Sequence, residues 1–174
     1  MGYPIVVAIA KLSPGSRKLL TFARSVAMAG DDAELKSIHL FMAASKMGRI
    51  GAGRLVPAKC KAQLEANLMM SLQIGIKEDL SFLPVSLSIR NACICLAKSR
   101  RRILPEDLLV QVFREDEGCR NVLVSILGST GSQALEEKLL LKDFDSDERR
   151  RIRRIKGLFE EESDDANDRY RIDI

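Results

Sequence analysis

Few side chains in this 174-residue sequence could do chemistry. His39 is the only histidine, and no serine or cysteine stands near it in a nucleophile motif, so it reads as a core or helix-start residue rather than a general base. Cys93 and Cys95 would point about 200° apart on a helix, which removes the usual paired zinc ligands. With Cys60 and Cys119 they sit among aliphatic neighbours and are expected as buried thiols of a reducing compartment. No phosphate-binding Gly-x-x-x-x-Gly-Lys-Ser/Thr loop is present, and Gly48, Gly51 and Gly53 follow no strand and form only a connection. The expectation is a protein without catalytic residues, metal or cofactor.

The elements around these residues read as helices. Ser13-Pro14 is a cap followed by proline at the first helical position, and Leu19, Leu20, Ala23, Val26 and Ala27 recur at helical spacing up to Gly30. Ser37 is expected to cap a second helix carrying His39, Leu40 and Phe41, and Pro57 to Leu72 reads as a third. Pro84-Val85-Ser86 opens another series, with Leu87, Ile94, Cys95 and Leu96 as its apolar side and Arg100-Arg101-Arg102 as its exit. Ile103-Leu104-Pro105-Glu106-Asp107 then enters a helix, followed by residues 118 to 127, a turn at Gly128-Ser129-Thr130-Gly131, and residues 133 to 141. Only residues 5 to 9 suggest a strand. The fold class is all-α. Hydrophobic residues at 46% and aromatics at 5% point to a mostly aliphatic core, with little for stacking single-stranded nucleic acid.

Shifting the sequence by 68 positions places Leu19 on Leu87, Val26 on Ile94, Leu35 on Ile103, Leu40 on Leu108, Phe41 on Leu109 and Leu55 on Leu123, with no gap. This predicts two pseudo-symmetric four-helix repeats, about 12–72 and 84–142, within a domain spanning 1–142. The segments Leu35-Lys36-Ser37-Ile38-His39-Leu40-Phe41 and Ile103-Leu104-Pro105-Glu106-Asp107-Leu108-Leu109, with the acidic loop at Glu115-Asp116-Glu117, resemble the amino-terminal domain of Clp unfoldases over roughly residues 12 to 142. In that family each half carries a Thr-Glu-His-Leu-Leu type helix entry; here Ile38 stands for the first Glu and Asp107 for the second His. In some bacterial relatives that Glu helps to recognise phosphorylated arginine, a use for which only Glu106 is available in this chain.

The resemblance implies a non-catalytic protein-binding module, acting as adaptor or accessory subunit in substrate recognition for an AAA+ unfoldase or protease system. Its partner would be a substrate polypeptide or a component of that machine, held in a groove between the repeats. Ile38, His39, Glu106, Asp107 and Arg100, Arg101 and Arg102 are the expected groove residues.

Charge divides the chain. Residues 143–174 hold eight Lys/Arg against eleven Asp/Glu, which leaves 20 against 13 for residues 1–142. In the charged tail, Ile152, Ile155, Leu158 and Phe159 make a narrow apolar stripe that could dock on a partner, which is the alternative of an assembly subunit; the acidic run 160–165 is expected to be disordered. A basic nucleic-acid-binding helical protein is a weaker alternative. The apolar stretch near the start is too short for a bilayer span and lacks a basic leader, so a cytoplasmic location is expected.

Overall fold

The computed structural model describes residues 5–47, 51–71 and 83–141, and the amphipathic stripe predicted at Ile152, Ile155, Leu158 and Phe159 lies outside them. Contacts divide the chain into two compact units, Met1–Leu140 and Leu141–Ile174, and of the second only Leu141 is described.

The first unit is helical. In chain order come α1 (Ile5–Ala10), α2 (Pro14–Ala29), α3 (Ser37–Lys46), a short 3-10 turn (Gly51–Arg54), α4 (Ala58–Ser71), α5 (Leu87–Ser99) and α6 (Pro105–Glu115). Residues 117–141 form α7, which continues through Gly128-Ser129-Thr130-Gly131, where the sequence suggests a turn between two helices. Gly128 lies in this helix with φ +70°, a left-handed conformation that suits glycine. No strand forms among the described residues, and no helix is long and apolar enough to cross a membrane.

Residues 5 to 9, the one candidate strand, belong to helix α1 instead. A strand must find backbone partners along its length, and the chain offers this region only a single paired residue, at Leu12; a helix satisfies its own amides. The glycines at 51 and 53 are wound into the 3-10 turn rather than left as a loose connection.

Helix α2 starts as expected, with Pro14 at its first position and Ser13 Oγ accepting the amide of Ser16 at 3.1 Å. It buries Ser16, Leu19, Ala23, Val26 and Ala27. In α5 the buried side is Ile89, Ala92, Cys93, Leu96 and Ala97, whereas Leu87 is 71% exposed and Cys95 is exposed. Two of the four residues assigned to its apolar side therefore face water, because the gapless shift of 68 puts this helix out of register. Helices α3 and α6 are buried on nearly every side and occupy the centre, where Phe41 and Phe113 meet edge to face with ring centroids 6.2 Å apart. Helices α2 and α4 pack on α3, and α5 packs on α6 and α1.

Two isolated parallel bridges tie the helix entries together, Leu12 to Ile103 and Leu35 to Val85. Each is made by the same pair of hydrogen bonds. Ser13 N–H donates to Ile103 O at 2.9 Å and Ile103 N–H to Lys11 O at 2.8 Å; Ser86 N–H donates to Leu35 O at 3.0 Å and Leu35 N–H to Pro84 O at 2.8 Å. In both cases the residue before a serine at a helix start pairs with the aliphatic residue two positions before the next central helix.

Candidate functional site

An apolar concavity lies where those bridges meet. Leu12, Leu35 and Val85 from the bridges, Leu20 from α2, and Ile89 and Cys93 from α5 line a cavity of about 550 Å³, to which Thr21, Arg24 and Arg90 also contribute. Thr21 and Arg90 are exposed, while Ile89 is 1% exposed, so the cavity runs from solvent down to the core. Its walls come in similar measure from residues 9–35 and 83–93. Such a surface can take up an aliphatic side chain and can do no acid-base or nucleophilic work.

The residues predicted for a groove do not line this one, and they fall into separate places. His39 and Asp107 hold the entries of α3 and α6. Lys36 N–H donates to His39 Nδ1 at 3.1 Å, and Leu104 N–H donates to Asp107 Oδ2 at 3.2 Å, each the returning half of a capping box. Ser37, expected as a cap, instead sits at the first position of α3 and donates its hydroxyl to Asp116 Oδ2 at 2.5 Å. Behind each cap stands a charged residue seven positions earlier. His39 Nε2 lies 3.0 Å from Asp32 Oδ2, and Asp107 Oδ1 pairs closely with the Arg100 guanidinium. At corresponding positions the two clips differ in chemistry, the acidic Asp32 against the basic Arg100 and the imidazole of His39 against the carboxylate of Asp107.

Because Nδ1 accepts the Lys36 amide, the neutral His39 tautomer carries its proton on Nε2 and donates it to Asp32. Burial pushes the His39 pKa below its usual value despite the pull of Asp32. Partial burial acts against Asp32 ionisation, yet hydrogen bonds and charge from Lys36 and His39 hold its carboxyl below the usual range. Arg100 and Asp107 side chains are 14% and 6% exposed, and a partner could touch neither extensively.

Glu106 is also buried, 8% exposed, and faces Arg54 at 3.6 Å. Ile38 is half-buried against the core and borders a pocket of about 300 Å³ that Ser37, Ser86, Ser88 and Asp116 also line. In that region the Asp116 carboxyl, opposed by its partial burial, is nonetheless held low by bonds from Ser37, the Cys119 amide and Ser88. Arg101 and Arg102 are exposed on a different cleft. Among the described residues no group of three His, Cys, Asp or Glu side chains could hold a metal ion. Burial pushes the Cys93 thiol up to about 11 and, with the nearby Asp116 charge, that of Cys119 up to about 12, so neither serves as a ready nucleophile.

The residues missed were Leu12, Leu20, Val85 and Ile89. For Leu12 and Val85 the signal was an aliphatic residue directly before a serine cap, Leu12-Ser13 and Val85-Ser86, which the gapless shift hid by setting Leu12 opposite Leu80.

No family model matches the chain, and no curated protein matches it. A chain solved in preliminary structural investigations of a malarial protein secretion system is similar, with a TM-score of 0.54 and 17% identity over 76% of this chain and 94% of that one. At that identity the likeness is one of fold alone.

Proposed function

We propose that the protein is a non-catalytic polypeptide-binding module built from two helical repeats of the Clp amino-terminal type, and that the apolar cavity between α2 and α5 is its binding groove. The observation that carries this is the pair of matching bridges. Exchanging Ser13 with Ser86, Lys11 with Pro84 and Ile103 with Leu35 converts one set of hydrogen bonds into the other, as a duplicated unit requires. The offset between halves is 73 at the serine caps and 68 at Leu35 and Ile103. The difference is accounted for by a longer α2, 16 residues against 13 in α5, and by a longer link after it.

A groove at such a seam binds through apolar burial at about 25 cal/mol per Å², enough for a weak, sequence-tolerant grip on an extended segment. That suits an adaptor or accessory subunit that holds substrates for an AAA+ unfoldase or protease. The fold it shares with a chain from work on a protein secretion system is compatible with polypeptide handling.

Fluorescence anisotropy of labelled casein, a permanently unfolded chain, tests the proposal. Thr21→Trp fills the groove from an exposed position and should weaken binding by about tenfold or more, a loss of roughly 1.4 kcal/mol. Undiminished binding would overturn the assignment of the groove. If deletion of residues 143–174 abolished binding instead, the tail would be the contact and the protein an assembly subunit.

A further inference from the structure

A second concavity, of about 900 Å³, lies between α1, the start of α2 and the link entering α6. Its lining contains no acidic residue: Val7, Ala10, Leu12 and Pro14 supply an aliphatic floor, and Lys11, Arg17, Arg101 and Arg102 supply charge. Lys11 is already engaged, its ammonium donating to Ala97 O at 2.6 Å and Arg100 O at 3.3 Å at the end of α5. Arg17, Arg101 and Arg102 are exposed, and their side chains have no hydrogen-bond or ion-pair partner among the described residues. The nearest acidic side chains in sequence do not neutralise them, since Glu106 faces Arg54 and Asp107 is taken by Arg100.

The geometry points to this cleft as a docking site for an acidic peptide segment of a partner protein, one that alternates carboxylates with aliphatic side chains. Three guanidinium groups around an aliphatic floor match that chemistry, because each planar fork can take a carboxylate in bidentate fashion while the floor buries the intervening side chain. Arg101 and Arg102 flank a link pinned by the Leu12–Ile103 bridge, so their backbone is fixed before a ligand arrives and less ordering is lost on binding. Nucleic acid fits less well, since the lining has no aromatic ring on which a base could stack and the cations ring a pocket rather than follow a stripe. The other half is not equivalent. The position 68 residues before Arg102 is Glu34, which lines the smaller pocket beside Ser86, so an acidic ligand is directed to one end of the molecule.

The test uses the whole chain and a fluorescein-labelled peptide of sequence Glu-Glu-Leu-Asp-Glu-Leu. Saturable binding that weakens as NaCl rises from about 50 to about 300 mM is expected. The triple variant Arg17→Glu, Arg101→Glu, Arg102→Glu should bind the peptide about tenfold or more weakly with an unchanged circular dichroism spectrum. The milder pair Arg101→Gln and Arg102→Gln should show the same direction should the triple variant misfold. Thr21→Trp, which blocks only the groove of the preceding proposal, should leave peptide affinity unchanged, so the two assignments fail separately. Equal affinity of wild type and both arginine variants would overturn the inference. So would stronger competition by single-stranded oligothymidine or by phosphatidylserine vesicles than by unlabelled peptide, which would assign the cleft to nucleic acid or a membrane surface.

Discussion

Arg100 and Asp107 provide the sharpest separation between a partner-binding role and a structural one. The Asp107 side chain is 6% exposed, and its carboxylate serves two donors, the Leu104 amide at 3.2 Å and the Arg100 guanidinium. Arg100→Met strands that carboxylate in the interior with one amide for company. Breaking a buried pair from one side costs about 3 to 5 kcal/mol, and the retained amide bond places this case near about 3 kcal/mol. Asp107→Asn keeps a group that can accept from the amide but leaves the guanidinium uncompensated, for about 2 kcal/mol. The double variant removes both charges, so its loss should fall short of the sum by about 1.5 kcal/mol, a coupling that only direct contact produces. Urea unfolding followed by far-UV circular dichroism measures all four corners of the cycle. Converting this clip to the other half's chemistry, with Arg100→Asp and Asp107→His, should recover stability to within about 1 kcal/mol of wild type. Additive single losses, with coupling under about 0.5 kcal/mol, would refute the clip, and single variants of full stability with impaired partner binding would restore both residues to a recognition surface.

Three further outcomes are expected. His39 has a folded pKa below its unfolded value of 6.5, so the unfolded chain binds more protons: the contribution is fully present above pH 6.5 and is lost as pH falls through the depressed folded value. Urea midpoints should therefore drop from neutral pH toward the acid side of 6.5, and His39→Gln should flatten that part of the profile. Thiol titration of the native protein should show fast labelling at exposed Cys95 alone among Cys60, Cys93, Cys95 and Cys119, and Cys95→Ser should remove the fast phase. Gly128→Ala should cost about 1 kcal/mol through backbone strain alone, because φ is +70° and nothing lies within 4 Å of an added Cβ; a neutral effect in thermal unfolding would contradict that conformation.

The helix entries were legible because caps are local. Ser13-Pro14 and the acidic opening of α6 need only a few neighbouring residues to act, and both hold in the structure. Leu35 and Ile103 were equally visible, since each stands two residues before a central helix. The register of α2 against α5 was not, because length changes in a helix and its following link leave no local mark, and a constant shift carried Leu87 from solvent into the expected core. Helix α1 escaped because six apolar residues are too few to distinguish one periodicity from another. The clips were within reach. Asp32 and His39 are seven apart, as are Arg100 and Asp107, and a shift of 68 superimposes the two pairs. Considering His39 and Asp107 singly concealed that each is paired with a residue one loop upstream, Asp32 and Arg100.

The most direct test of polypeptide binding at the seam is amide NMR of isotope-labelled protein titrated with unfolded casein. The groove predicts progressive shifts concentrated at Leu12, Leu20, Thr21, Leu35, Val85 and Ile89, with the His39 and Asp107 amides largely unmoved. Shifts confined to residues 143–174, or spread without focus over the helical body, would contradict it.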